Sequence, residues 1–252
     1  MFLVPRSGTS QRPRCVAVQF MAWSENSPTG ARLQIMPQKE LETYYADRAA
    51  EYELIYLKPE RQESIAWLNL RLRAAFADRT VLEVACGTGF WTQTLAEVAA
   101  SVVAMDINRE VLGIARQKPL PPGKVMFTED DAFSLRSVPN QEFGGGFSGF
   151  WWSHIPKAQI AAFLAVFHAK LLPGARVLFA DNGYVDGSSH PISRIDADGN
   201  TYQQRILGNG TRYEVLKNFP AQQELADAIG VYGTEIEYET SAYYWRLSYT
   251  LK

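Results

Sequence analysis

Apolar residues recur at helical spacing in some segments of the chain and form short continuous runs in others. Spacings of three and four residues predict amphipathic helices, whereas short apolar runs between turn residues predict buried strands. The predicted helices are Leu41–Tyr56, Glu60–Phe76, Trp91–Ala99, Arg109–Gln117, Lys157–Leu171 and Ala221–Ile229. The predicted strands are Thr80–Ala85, Ser101–Asp106, Val125–Thr128, Phe147–Trp152, Arg176–Ala180, Glu235–Glu239 and Tyr243–Leu251. Because the first five strands alternate with helices, we predict an α/β fold with a mostly parallel sheet and helices on both faces.

Two regions depart from this alternation. The last two predicted strands are joined by a short link, which predicts an antiparallel hairpin at the end of the sheet. Residues 183–220 form a long connection with two hairpin signals, Asp198-Gly199 and Asn209-Gly210. An insert after the fifth strand lies beyond the carboxyl ends of the strands, where open α/β sheets bind ligands. We favour a substrate lid for it, with a homodimer arm as the alternative.

Glycines and the amino-terminal region add two further expectations. Gly144 to Gly146 predict a flexible link before the fourth strand. Residues 1–35 have arginines and prolines at their start and no sustained apolar period, so we predict a disordered extension before a domain spanning residues 36–252. A strand or arm that covers the site is the alternative for the extension.

Composition excludes several classes of protein. The 252 residues are 46% apolar and 21% charged, as in a globular protein of one domain, and the formal net charge is −2. The absence of a basic run argues against a nucleic-acid partner. Two cysteines argue against a disulfide framework, and no apolar run reaches the ~20 residues of a membrane span. We therefore predict a cytoplasmic protein without a membrane partner.

One motif indicates the chemistry. The run Val81–Phe90 reads as a strand that breaks into Gly-Thr-Gly before a helix. Glycines there let backbone amides approach a ligand, and the free N–H groups of the new helix add positive potential. The next strand ends in Asp106, a carboxylate placed to bind a ribose diol. A nicotinamide-binding fingerprint would need a third small residue where Thr92 stands, and it would not favour Glu83 inside the strand.

These residues resemble motif I and the acidic end of the second strand in class I S-adenosylmethionine-dependent methyltransferases. The resemblance implies a Rossmann-like sheet of seven strands ending in the antiparallel hairpin. It also implies S-adenosylmethionine as cofactor, S-adenosylhomocysteine as product, and in-line methyl transfer to an oxygen or nitrogen of a small-molecule acceptor. The alternatives are methylation of a protein or RNA side group, and a cofactor-binding module that transfers no methyl group.

The resemblance also implies residue roles around motif I. Glu83 would hold the methionine ammonium, directly or through water. Gly87 and Gly89 would admit the methionine portion, and Ala85 belongs to the same cofactor-binding turn. Asp106 would bind the ribose hydroxyls.

The adenine would meet residues that follow the second and third strands. Ile107 would pack on the ring. Asp131 would accept from the adenine amino group, although the run Glu129-Asp130-Asp131 leaves the register open by one residue. Ala132 would offer its amide to a ring nitrogen. Helix capping is the structural alternative for Asp131.

Two further segments resemble parts of small-molecule methyltransferases. In the first helix, Tyr44 would contact the sulfonium by cation–π attraction and Arg48 would pair with the methionine carboxylate. After the fourth strand, Trp151 would line the site and His154 is the candidate general base for a hydroxyl or thiol acceptor. Alignment without any base is the alternative for His154, since methyl transfer from a sulfonium needs none.

Three observations limit the acceptor and its partners. The Asn/Asp-Pro-Pro-aromatic run of DNA and protein amide methylases is absent after the fourth strand. Aromatic residues near the expected site favour an acceptor with an apolar or aromatic part, or a cationic amine. Three separated histidines predict no metal site, and Asp196–Asn200 reads as a hairpin turn rather than a calcium loop.

Overall fold

The computed structural model describes residues 38–252. Helix α1 (Gln38–Arg48) continues as a 3-10 segment, Ala49–Leu57, and a 3-10 turn, Pro59–Arg61, leads into α2 (Gln62–Phe76). The next elements are β1 (Thr80–Val84), α3 (Phe90–Val98), β2 (Ser101–Asp106), α4 (Arg109–Ala115), β3 (Val125–Glu129) and β4 (Phe143–Gly149). The chain ends with α5 (Ile160–His168), β5 (Leu171–Asn182), β6 (Ile192–Ile195), β7 (Thr201–Ile206), β8 (Arg212–Leu216), α6 (Gln222–Ile229), β9 (Gly233–Thr240) and β10 (Tyr244–Leu251).

The main sheet has seven strands in the order β3-β2-β1-β4-β5-β10-β9. Strands β1 to β5 are parallel, and β10 pairs antiparallel with both β5 and β9. One face packs on α2 and α3 through Leu68 and Leu95, and the other on α5 and α6 through Phe163 and Leu225. The predicted fold class is confirmed: a seven-stranded, mostly parallel, Rossmann-like sheet ending in an antiparallel hairpin.

The predicted flexible link at Gly144–Gly146 is wrong, because these glycines lie inside β4. Strand β4 is central in the sheet and is covered on both faces. A Cβ on Gly145 would lie 2.8 Å from a ring carbon of Phe76 in α2, and one on Gly146 would lie 2.8 Å from Phe167 in α5. The glycines therefore provide room for large side chains to pack on both faces of the strand.

Several element boundaries differ from the prediction. The fourth strand ends at Gly149, before Trp151, because Phe150 has a positive φ of 60° that turns the chain out of the sheet. The helix predicted over Lys157–Leu171 begins as a 3-10 turn and ends at His168. Leu171 instead pairs with Phe143, which extends β5 toward its amino terminus.

The insert forms its own antiparallel sheet, β6-β7-β8, so the predicted hairpin insert is confirmed. Its packing against α1 involves Tyr44, Leu207 and Val215, which form a small buried cluster. No helix among the described residues is long and apolar enough to cross a membrane. The extension predicted over residues 1–35 lies outside the described residues.

Candidate active site

A cavity of about 730 Å³ lies at the carboxyl ends of β1, β2 and β3, where α1 and the motif I turn contribute to its lining. Eight of the predicted site residues line it: Ala85, Gly87, Asp106, Ile107, Asp131, Ala132, Trp151 and His154. Among its other lining residues are the apolar side chains of Met105 and Val111 and the carboxylate of Glu42. We call this space the first cavity. Its lining includes three carboxylates and no Lys or Arg among the described residues.

The motif I turn is held against the end of β2 by hydrogen bonds. Gly87 has φ of 56°, in the left-handed region that favours glycine, and its backbone N–H donates to Asp106 Oδ2 at 2.9 Å. Asn108 donates its backbone N–H to Asp106 Oδ1 at 2.9 Å. Burial raises the pKa of Asp106 to about 6 even though these amides stabilise its charge. The turn thus fixes a carboxylate at the cavity wall, with lone pairs left for a ligand.

The two aspartates that follow β3, Asp130 and Asp131, have different roles. Asp130 accepts from the hydroxyl and the backbone N–H of Ser137, at 2.5 and 2.7 Å. Asp131 lines the first cavity and accepts from the backbone N–H of Phe133 at 3.0 Å. The cavity-lining position in the run is therefore Asp131, with Ala132 beside it.

Glu83 and Gly89 do not line the first cavity, within the part of the chain that the structure describes. Glu83 is 1% exposed in β1 and accepts a hydrogen bond from the Thr92 hydroxyl at 2.7 Å. Burial raises the pKa of Glu83 to about 8. Gly89 has φ of 76°, and a Cβ there would lie 3.0 Å from the Cβ of Ala115. Gly89 therefore permits α3 and α4 to approach each other.

A second cavity, of about 890 Å³, adjoins the first. Four residues line both cavities, and we call them the shared wall: Tyr45, Tyr52, Phe150 and His154. Tyr44 and Arg48, which the sequence placed at the cofactor, line the second cavity and not the first. The Arg48 guanidinium donates to the Tyr44 hydroxyl at 2.6 Å, and the Tyr44 ring packs against Tyr213 of the insert.

Both ring nitrogens of His154 have partners. Nε2 lies 2.7 Å from the Tyr45 hydroxyl, and Nδ1 lies 2.7 Å from the backbone carbonyl of Leu216. A carbonyl can only accept, so Nδ1 carries the proton and Nε2 accepts from Tyr45. Burial and then Lys217 lower the pKa of His154 to about 3, which keeps the ring neutral near pH 7.

A buried ion pair connects the insert to the main sheet. Lys217, just after β8, donates from Nζ to Asp181 Oδ1 at 3.0 Å and to the Ser153 hydroxyl at 2.6 Å. Burial alone would raise the pKa of Asp181, but Lys217 holds it below its ordinary value. Residues of the insert, among them Gln203, Arg205 and Val215, line the second cavity. The insert thus forms part of the wall of the second cavity, and the lid and the homodimer arm both stay predictions.

Tyr45 and, apart from Arg48, the basic residues of the second cavity were not predicted as site residues. The run of tyrosines in α1 did not reveal which ring faces the site, because Tyr44 and Tyr45 are adjacent and point to different neighbours. The basic residues come from separate segments of the chain and form no motif: Arg48, Lys58, Arg61, Arg205 and Lys217. Within the described residues, no group of His, Cys, Asp and Glu side chains could hold a metal ion.

Comparisons of the sequence with known proteins match methyltransferases. Residues 81–174 match the family model of a methyltransferase domain. The chain is 28% identical over 190 residues to a ubiquinone/menaquinone biosynthesis C-methyltransferase UbiE of Brucella anthropi, a match that covers 68% of each chain. It is 27% identical over 231 residues to a ubiquinone biosynthesis O-methyltransferase of Xanthomonas axonopodis pv. citri, covering 88% of this chain and 91% of the relative.

Solved structures with the same fold include methyltransferase complexes. The structure described as a DhpI-SAH complex superposes with a TM-score of 0.68 at 24% identity, covering 83% of this chain and 94% of the other. The Burkholderia thailandensis 1,6-didemethyltoxoflavin-N1-methyltransferase, with its substrate and S-adenosylhomocysteine bound, gives a TM-score of 0.57 at 15% identity, covering 90% and 93%. At these identities the likeness concerns the fold.

Proposed function

We propose that this chain, a class I S-adenosylmethionine-dependent methyltransferase, transfers the methyl group to an oxygen or nitrogen atom of a small molecule by in-line displacement. The observation that carries the proposal is the shared wall, where two cavities meet at Tyr45, Tyr52, Phe150 and His154. One cavity suits the cofactor and the other an acceptor. Their junction is where an electrophile and a nucleophile would face each other.

The residues of the first cavity fit S-adenosylmethionine. Asp106 offers a carboxylate that can accept from vicinal hydroxyls, and Asp131 offers a second one to an exocyclic amine. Met105, Ile107 and Val111 add apolar surface suited to a flat purine ring. A cation is also favoured there, because the described lining holds carboxylates and no basic side chain.

The shared wall would act by alignment and by excluding water. When bound, the cofactor supplies an electrophilic methyl group on a positively charged sulfur. Tyr45 and Tyr52 line this junction and contact each other edge to face with 5.8 Å between ring centres, and the negative face of such a ring attracts a cation. His154 holds the Tyr45 hydroxyl in place and has a pKa too low to accept a proton readily near pH 7. The acceptor atom would therefore arrive with a free lone pair, as a neutral amine or an ionised oxygen acid does.

The second cavity supports a small acceptor. It encloses about 890 Å³ of space, open solvent at its mouth included, and polar and aromatic side chains both line it. Strands of the insert and the 3-10 segment after α1 both contribute to its lining. The named relatives methylate carbon or oxygen and a solved neighbour methylates nitrogen, so the fold accommodates several acceptor atoms.

A metabolite screen tests the proposal. The protein saturated with S-adenosylhomocysteine should show a raised melting temperature with acceptors that fill the second cavity. Those compounds should then gain one methyl group from labelled S-adenosylmethionine, measured by mass spectrometry. Tight cofactor binding with no transfer to any bound compound would favour a cofactor-binding module, and transfer to protein or RNA alone would overturn the small-molecule assignment.

A further inference from the structure

The second cavity has a charge opposite to that of the chain as a whole. The formal net charge of the protein is −2, yet Arg48, Lys58, Arg61, Arg205 and Lys217 all line this cavity. None of the described residues that line it is an aspartate or a glutamate. Basic side chains gathered in a concave space focus positive potential on whatever enters it.

Three of the five cations lack a carboxylate partner. Lys217 is neutralised by Asp181, and Lys58 lies 3.9 Å from Glu60. None of the ion pairs found among residues 38–252 includes Arg48, Arg61 or Arg205. Charged groups in partly buried positions are normally paired, because burial without a counter-charge is costly. Among the described residues, these three arginines lack such a counter-charge within one cavity, whereas the buried Lys170, which also lacks one, donates to the Val138 carbonyl and to Asn140.

Two of these guanidinium groups also have buried donors with no hydrogen-bond partner. Arg61 is 6% exposed, lies 4.0 Å over the ring of Tyr243, and its Nε has no partner. Arg205 donates from Nη2 to Gln203 Oε1 at 2.7 Å, while its buried Nη1 has no partner among the described residues. A buried donor without a partner is unfavourable, so both arginines keep unmet hydrogen-bonding capacity beside the cavity that they line, where an oxyanion could accept from their guanidinium groups.

The cations act on one another through the cavity. Burial and then Arg205, Arg48 and Lys58 lower the pKa of His190, which also lines it. Burial lowers the pKa of Arg205, with repulsion from Arg48 adding to it. An anion placed among these groups would relieve the repulsion of each.

We propose that the methyl acceptor is a small molecule bearing a carboxylate or phosphoryl oxyanion, which Arg48, Arg61 and Arg205 bind in the second cavity. The proposal rests on the proposed function and names the class of its acceptor. Guanidinium groups match oxyanions because their parallel N–H donors meet two oxygens at once. Tyr45 and Tyr52 then place the rest of the acceptor against the shared wall. A cationic amine, which the aromatic residues alone favoured, would meet repulsion here.

Arg48 was predicted from the sequence to bind the methionine carboxylate of the cofactor. That role competes with the present proposal, and it predicts a different outcome. Arg48, Arg61 and Arg205 come from α1, the 3-10 turn before α2 and β7, and all three line the second cavity and not the first. If the cations served the cofactor, their loss would weaken binding of S-adenosylhomocysteine. If they serve the acceptor, their loss would weaken binding of an oxyanion and spare the cofactor.

The test uses inorganic phosphate and acetate as probes of the full-length protein saturated with S-adenosylhomocysteine. Calorimetric titration should show saturable binding of at least one of the two anions. Arg205→Gln should weaken that binding by about tenfold or more, because it removes charge-assisted hydrogen bonds. Arg212→Gln, the same change on an exposed residue of the insert outside the cavity, should leave it unchanged. Preference for phosphate or for acetate identifies the phosphoryl or the carboxylate class, and both results support the proposal.

Further variants keep the test decisive. Arg205→Lys retains the charge and should keep more anion affinity than Arg205→Gln. If Arg205→Gln does not fold, Arg48→Gln tests the same loss of anion affinity at a second arginine. Affinity for S-adenosylhomocysteine is measured in every sample, so failure of the cofactor assignment is detected separately. Wild-type protein that binds S-adenosylhomocysteine but neither anion would overturn the proposal. Variants that lose cofactor affinity and keep anion affinity would also overturn it.

Discussion

The two cavities meet at one wall but are opposite in charge. The first has Glu42, Asp106 and Asp131 in its lining, and the second has five basic residues. A positively charged cofactor and a negatively charged acceptor would each meet the complementary field. The site therefore separates opposite charges on the two sides of the shared wall and has no base at the junction that titrates near neutral pH.

Asp106→Ala is expected to have the largest effect on cofactor affinity, and this effect should be confined to the first cavity. Asp106→Ala removes the carboxylate that would accept from the ribose hydroxyls, and each charge-assisted bond contributes about 1.5–3 kcal/mol. Affinity for S-adenosylhomocysteine, measured by calorimetry, should fall at least about tenfold per bond. Anion binding in the second cavity should persist in the same variant. This outcome would establish that the two cavities bind independently.

Glu129→Gln is the matched control for Asp106→Ala. Glu129 ends the neighbouring strand β3, pairs in register with Asp106 and bonds Arg109 outside the first cavity. Its loss should leave cofactor affinity intact. Unchanged affinity in Asp106→Ala, with the fold preserved by melting temperature, would remove Asp106 from the cofactor site, and a parallel loss of anion binding would break the distinction between the cavities.

The first cavity was largely predictable because its residues follow the ends of consecutive strands. Asp106 comes directly after an apolar run and Asp131 stands four residues after another, and parallel strands bring their carboxyl ends to one edge. Gly89 was assigned to ligand access, yet it is required by the close approach of Ala115. Both reasons favour glycine at the same place, so the sequence alone cannot separate them.

The second cavity could not be predicted in the same way. Arg48, Arg61 and Arg205 meet only because the insert folds back over the 3-10 region after α1, and sequence spacing carries no trace of that contact. The glycines of β4 were misread for a related reason. Their role depends on the facing rings of Phe76 and Phe167, which come from helices distant in the chain. Long-range packing was the missing information in both cases.

Substitutions of His154 in the shared wall are expected to have an intermediate effect, which is a reduction of kcat. His154→Gln keeps an oxygen that can accept from Tyr45, and His154→Asn keeps a donor for the Leu216 carbonyl. With a pKa of about 3, His154 does not titrate near neutrality. Both variants should therefore lower kcat by less than about 100-fold, below the usual range of general acid–base catalysis, and keep the wild-type profile between pH 6 and 9.

Stability provides a second measurement for the same residue. The pKa of His154 lies below its ordinary value of 6.5, so the stabilisation it gives is present above pH 6.5 and is lost as the pH falls toward 3. Between pH 7 and pH 5, the melting temperature of His154→Gln should therefore fall by less than that of the wild type. A loss of kcat above 100-fold, together with removal of a wild-type transition near pH 7, would instead establish His154 as a base.

The smallest effect on cofactor affinity is expected at Glu83, a carboxylate beside motif I that lines neither cavity in the described chain. Burial raises its pKa to about 8 from an ordinary value of 4.5. The stability it contributes is therefore present below about pH 4.5 and is lost as the pH rises through 8. Glu83→Gln should melt near the wild-type temperature at pH 4.5 and at a clearly higher temperature at pH 8.5, because the buried glutamate must ionise there at the expense of folding stability whereas the glutamine stays neutral.

Cofactor affinity in Glu83→Gln sharpens the contrast between the two carboxylates at motif I. Asp106 lines the cavity, whereas Glu83 is bonded to the Thr92 hydroxyl inside the fold. We expect Glu83→Gln to lose clearly less affinity for S-adenosylhomocysteine than Asp106→Ala does. Glu97→Gln, an exposed change on α3, is the control for melting temperature. A loss equal to that of Asp106→Ala would mean that Glu83 reaches the methionine ammonium, as the resemblance implied. The first cavity would then extend along β1 as far as Glu83.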